Sequence, residues 1–144
     1  MNIFSWLTLR LFYIVAFSLG SCCPVFAQVV PDNTLGAESS TIRSIDDLKN
    51  AVEGGAIRGE NLFHSFEQFA IQEGFTTEFN NPEGIANIFS RVTGGNISEI
   101  LGTIAVDGGA NLFLMNPNGV DSGQSFQRYN IDLFEYQGYK KLLN

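Results

Sequence analysis

The chain has 144 residues, with 15 acidic and 8 basic side chains, a formal net charge of −7 and 44% hydrophobic residues. That is enough apolar content to bury one small core and too acidic a balance to neutralise phosphates, so nucleic acid and anionic lipid are excluded as partners. The only histidine is His64 and both cysteines are near the start, which leaves no Cys or His cluster with metal-ligand spacing and no cofactor motif.

Residues 1–27 read as a secretory signal peptide. Arg10 charges the start, Leu11 to Gly20 is apolar but too short to span a bilayer, and Val25-Phe26-Ala27 is a small-x-small cleavage site. Removing it takes Cys22 and Cys23 away and leaves one small domain with every acidic residue and every basic one except Arg10. A small exported domain without cysteine relies on packing and backbone pairing instead of disulfides.

From Gln28 to Arg43 the pattern is loop and short strand, with a turn at Pro31-Asp32-Asn33. Ser44 to Gly55 carries the best local helix signal: Ser44 as a cap, Asp46 and Asp47 in the first turn, Gly54 at the end. A short helix and a strand or loop stay equally open there. Ala56 to Phe79 is rich in aromatic and β-branched residues, and Phe63, Phe66 and Phe69 at a spacing of three predict a strand that bends at a corner, packing phenylalanines into a core.

Ile85, Ile88, Phe89 and Val92 fit helical intervals, whereas Ile88, Ser90 and Val92 alternate as a strand would, and periodicity does not separate the two. Ile97 to Val106 predicts a strand. Leu112 to Met115 is an unbroken apolar run, the pattern of a strand buried on both faces, and Asn116-Pro117-Asn118-Gly119 stops it with turn chemistry. Asn61-Leu62-Phe63 recurs as Asn111-Leu112-Phe113, and Asn81-Pro82-Glu83-Gly84-Ile85 recurs as Asn116-Pro117-Asn118-Gly119-Val120. Recurring strand-and-corner units imply coils stacked on coils, because one unit cannot bury its own apolar face. The two recurrences have unequal offsets, which describes a degenerate solenoid.

In order along the chain, Leu62-Phe63-His64-Ser65-Phe66, Arg91-Val92-Thr93-Gly94-Gly95, Ile100-Leu101-Gly102-Thr103 and Asn111 to Val120 resemble the filamentous-haemagglutinin N-terminal domain of two-partner secretion exoproteins. The opening Gln28 to Gly36 is similar to the mature start of such proteins of cyanobacterial type. The resemblance covers residues 28–120. It implies an all-β fold, a right-handed parallel β-helix of single-stranded solenoid kind, partial here, with an N-terminal cap over residues 28–55 and an irregular tail over 121–144. It also tips Pro82 to Thr93 towards strand. The departure after Val120 leads us to expect a truncated or frame-shifted product.

The resemblance further implies a secretion-recognition module in place of an enzyme, carried to the inner membrane translocon by its signal peptide and then bound by the POTRA domains of an outer-membrane barrel transporter. The product would pass through the periplasm and end outside the cell or on its surface. Partner binding is expected at Asn116, Pro117, Asn118 and Gly119, which match the family's motif, and more weakly at His64 and Phe66. The corner reads equally well as pure architecture, since turn chemistry alone accounts for each of its residues. The alternative function is a surface adhesin or carbohydrate-binding module that takes host or cell-surface glycans. A pectin-cleaving enzyme on the same architecture is disfavoured, because the acids are scattered and neither Arg58 nor Arg91 has a carboxylate run around it.

Overall fold

The computed structural model describes residues 29–123 and the backbone of 127–128. The expected signal peptide and most of the expected tail lie outside the described residues. The described chain is all-β with mixed sheets and contains β1 (Val29–Pro31), β2 (Ser40–Ser44), β3 (Lys49–Gly54), β4 (Ala56–Arg58), β5 (Asn61–Phe69), β6 (Thr76–Phe79), β7 (Asn87–Val92), β8 (Ser98–Ile100), β9 (Thr103–Val106), β10 (Asn111–Met115), β11 (Val120–Ser122) and β12 (Gln127–Arg128).

Three ladders of parallel strands organise it. In the first, β5, β7 and β10 lie side by side; in the second, β3, β6, β9 and β12; in the third, β8 and β11, with Ile71 bridged to Ile100. The chain visits the second, first and third ladders in that order, then returns to the second one strand further along. Register is strict: Asn61, Asn87 and Asn111 align, as do Leu62, Ile88 and Leu112, and Phe63, Phe89 and Phe113. The recurrence seen between Asn61 and Asn111 therefore spans two turns of the coil, and Asn87-Ile88-Phe89 is the middle copy.

Alternation follows from the two-residue period of a strand. Leu62, Ile88, Leu112 and Leu114 point inward and are essentially inaccessible, together with Val52, Phe79 and Ile104 of the second ladder. Phe113 and Met115 are only half-buried on the other side of β10. The run Leu112 to Met115 is thus buried on one face and not on both. On the opposite face, Phe63 and Phe89 stack at 5.3 Å between centroids and Phe89 and Phe113 at 4.9 Å. Beside them, Asn87 Nδ2 donates to Asn61 Oδ1 at 3.0 Å and Asn111 Nδ2 to Asn87 Oδ1 at 3.1 Å, so each amide supports the next.

The first coil would leave its ladder edges open, and exposed strand edges pair promiscuously unless covered. Three antiparallel strands cover them: β1 and β4 on β5, and β2 on β3. The segment Ser44 to Gly55 is accordingly strand and not helix. Its acids serve the turn between β2 and β3, where Asp46 Oδ1 accepts from the Leu48 N–H at 2.8 Å and Ser44 Oγ donates to the Asp46 carbonyl at 3.0 Å. β3 belongs to the parallel stack and β4 lies beyond Gly55, so the covering strands do not coincide with residues 28–55.

The bend in β5 is a bulge. Val30 pairs with Gln68 and Pro31 with Phe66, passing over Glu67. Leu62, His64 and Phe66 face inward before it and Phe69 after it, whereas Phe63 faces out. Ile97 to Val106, expected as one strand, begins at Ser98 and is broken at Leu101-Gly102 between β8 and β9. Gly102 sits where a Cβ would meet the carbonyl oxygens of Gln72 at 2.3 Å and Phe75 at 2.4 Å, so only glycine lets the coil corners approach this closely. The pairing also outlasts Val120: Asp121 and Ser122 continue β11, and β12 pairs with β9.

Gly102→Ala should lower stability by about 1–3 kcal/mol through overpacking against backbone. Gly95→Ala, at an ordinary φ with nothing within 4 Å of the added Cβ, should stay near neutral. Denaturant midpoints of the two variants check the contrast.

Candidate functional site: the corner of the last coil and the clamp on the first

The corner is built from the inside out. Asn116 is 1% exposed, an unusual place for an amide, and its polar atoms are all occupied. Its Nδ2 donates to the Asn96 carbonyl and to Ser98 Oγ, both at 2.9 Å, and its Oδ1 accepts from the Asn118 N–H at 2.8 Å. The Gly119 N–H closes the turn onto the Asn116 carbonyl at 3.1 Å, and Ser98 N–H donates to the Gly119 carbonyl at 3.0 Å. Gly119 takes φ +115°, which a side chain would resist. Asn118 Nδ2 reaches the Gly94 carbonyl at 2.7 Å.

Asn116-Pro117-Asn118-Gly119 is therefore stapled to the preceding coil's corner, Thr93 to Ser98. Pro117 and Asn118 are exposed; Asn116 is not. The motif turns the chain and locks two coils together, and its outward surface is the Pro117-Asn118 tip.

His64 and Phe66 lie elsewhere, inside the first coil and 2% and 0% exposed. His64 packs edge-on to Phe79 at 5.5 Å between centroids and near-parallel to Phe66 at 6.1 Å. Its Nδ1 stands 3.0 Å from Ser40 Oγ, a side-chain partner on β2, while its Nε2 is buried without a partner. Burial alone pushes its pKa down to about 4. The structure does not bring His64 or Phe66 to the Asn116 corner.

A second cluster went unread in the sequence. Asp32 Oδ1 accepts from the Thr34 N–H at 2.9 Å and hydroxyl at 2.7 Å, and Oδ2 accepts from Ser65 Oγ at 2.8 Å and Thr93 Oγ1 at 2.6 Å. Arg91 Nε donates to Ser65 Oγ at 3.0 Å, and its Nη2 to Thr34 Oγ1 at 2.7 Å. One carboxylate thus clamps the N-terminal segment to β5 and to the end of β7. Burial works against ionisation of Asp32, but hydrogen bonds from Thr93, Thr34 and Ser65 outweigh it and hold its pKa at about 2. The Pro31-Asp32-Asn33 turn was the only signal of it, and it named a turn without its target. Among the described residues no group of three or more His, Cys, Asp or Glu side chains could hold a metal ion.

The TPS secretion domain model matches residues 27–132, most of the chain and all of the coils just described. The chain belongs to that family, the secretion domain of two-partner secretion exoproteins. It is also similar to the heme/hemopexin-binding protein of Haemophilus influenzae, 40% identical over 58 residues that make up 40% of this chain and 6% of that protein. The chain thus spans a small part of that relative's length. Exoproteins of this family are exported to the cell exterior or surface and imply an outer-membrane transporter partner.

Asn116→Ala should cost about 2 kcal/mol, because it strands the buried Ser98 hydroxyl and the Asn96 carbonyl, while Asn118→Ala should cost about 0.5–1 kcal/mol. Chemical denaturation checks the ranking. For Asp32 the folded pKa lies below the unfolded one, so the unfolded chain takes up the proton first. Its stabilisation is complete above pH about 4 and is lost as pH falls through about 2. Asp32→Asn should remove that part of the acid slope, read from thermal unfolding at pH 2 to 5.

Proposed function

We propose that this chain is the secretion-recognition module of a two-partner secretion exoprotein, bound by the periplasmic POTRA domains of an outer-membrane barrel. It would reach the periplasm by its signal peptide through the inner-membrane translocon, thread the barrel, and fold outside into a right-handed parallel β-helix. The observation that carries this reading is the family match over residues 27–132. The order in which the ladders are filled supports the β-helix, since each coil finds its template in the one before it.

Recognition by strand addition fits the chemistry. An extended segment offers main-chain donors and acceptors to an exposed sheet edge, and its side chains set the register. In the folded chain Asn116, His64 and Phe66 are buried, so contacts through them belong to the unfolded chain in transit. Pro117, Asn118 and Gly119 keep some accessibility when folded.

The adhesin reading, a module that takes host or cell-surface glycans, needs aromatic faces open to a sugar. The outward phenylalanines stack on one another, and both faces of Phe89 are taken by Phe63 and Phe113, which weighs against it. The heme/hemopexin-binding relative shares too little of its length to carry its ligand over to this chain.

The test is binding of purified POTRA domains to this chain held unfolded in mild denaturant, compared with the refolded chain. The unfolded form should bind at least about tenfold more tightly, and a double change Asn116→Ala with Asn118→Ala should weaken that binding. Unchanged binding together with failed refolding would assign the corner to architecture alone.

A further inference from the structure

We propose that His64 is an acid-sensitive catch: in its neutral form it holds β2, and with it the N-terminal cover, on the first coil, and its protonation lifts β2 before the coils melt. The inference rests on the geometry of the cover and does not depend on the secretion reading.

Ser40 is the point where β2 touches the interior of the coil. Its hydroxyl lies 3.0 Å from His64 Nδ1 and accepts the Ser65 N–H at 3.3 Å, so one oxygen joins β2 to two successive residues of β5. A neutral ring fits this arrangement, with Nδ1 able to take the hydroxyl proton. An imidazolium presents N–H at both nitrogens. Nδ1–H then competes with Ser65 for the Ser40 oxygen, and the Nε2–H, which the neutral tautomer already buries without an acceptor, now belongs to a charged ring. An unpaired buried donor on a charged ring is among the costliest arrangements a core can hold.

The surroundings offer the charge no relief. Around the ring stand Ser40 from β2, Phe66 on β5 itself, Phe79 from β6, and Ser90 from β7, the register neighbour of His64. None of these is a carboxylate or a cation. Asp32 engages Ser65, whose side chain leaves the opposite face of β5. The remaining wall is Gly55, where even a Cβ would come within 2.9 Å of the ring.

A protonated ring must therefore find water, and the cover closes the side of the ring where Ser40 and Gly55 stand. The neighbouring Gly54 is pressed against the Ser39 carbonyl, the residue that leads into β2. Lifting β2 frees Ser40 and opens that side together. It would also uncover the edge of β3, whose only antiparallel neighbour is β2.

Hydrogen exchange of the full chain, corrected for intrinsic rates, tests this between pH 7 and pH 5. With an ordinary histidine value of about 6.5 in the open form and about 4 in the closed one, protection of Ser40 to Ser44 should fall about twentyfold over this range. Protection in β7 and β10 should fall less than about threefold. His64→Gln should flatten the response of β2, and Asp32→Asn, which titrates in a lower range, should leave it intact.

Should His64→Gln fail to fold, the wild-type imidazole titration followed by NMR decides: a midpoint well below 6.5 supports the catch, and an ordinary one overturns it. An equal loss of protection in β2, β7 and β10, or a flat profile in β2, overturns it as well.

Discussion

The parallel, in-register stacking of strands is the constraint on which everything else in this molecule depends. A residue in such a ladder has the same neighbour relationship above and below, so like lies on like: asparagine on asparagine, phenylalanine on phenylalanine, aliphatic on aliphatic. Amides suit this because each is both donor and acceptor, and the Asn61–Asn87–Asn111 chain uses one of each at every step. Charges would not suit it, because like charges side by side repel. The outward rows of the first ladder accordingly carry asparagine, phenylalanine and, in the row of Ser65, Arg91 and Met115, a single charge.

Stacking creates its own difficulty at the beginning, where the first coil has nothing beneath it. The N-terminal segment answers with strands that run the other way, ending the first and second ladders with short antiparallel partners. Hydrogen bonds of the ladder alone would hold such short strands poorly, since fixing each residue costs about 1–2 kcal/mol of conformational entropy. Side chains supplement them, with an exposed Arg43–Glu53 ion pair between β2 and β3 and two further joints. On the outer face, ionised Asp32 gathers the hydroxyls of Thr34, Ser65 and Thr93. On the inner face, Ser40 meets His64. Both joints are polar and both respond to protons, but in different pH ranges, because one keeps its charge by hydrogen bonding and the other stays neutral by burial.

The corners solve a different problem. Coils packed about one strand spacing apart bring backbone against backbone wherever the chain turns, and a side chain there has no room. Gly94 and Gly102 show this most directly: a Cβ would lie 2.0 Å from the Glu67 carbonyl oxygen in one case and 2.3 Å from that of Gln72 in the other. Asn116 is the complementary device, a buried amide that replaces missing backbone partners and ties one corner to the last.

Several features were legible in the sequence: the corner at Asn116 to Gly119, the recurrence of Asn-Leu-Phe, and the ordered motifs that pointed to the family, whose resemblance implied the all-β fold. These are local patterns, and turn chemistry or strand alternation is enough to produce them. The helix signal over Ser44 to Gly55 was also local, and it failed because pairing of β2 with β3 and of β3 with β6 outweighs a weak helical preference. The middle copy, Asn87-Ile88-Phe89, was hidden because its leucine had become isoleucine and its spacing is read only once the coil length is known. Only the tertiary structure decided which side of each strand faces inward, that His64 and Phe66 are enclosed, and that Asp32 reaches Thr93 across 61 positions of sequence. Such contacts join residues far apart along the chain, and no window of neighbouring residues contains them.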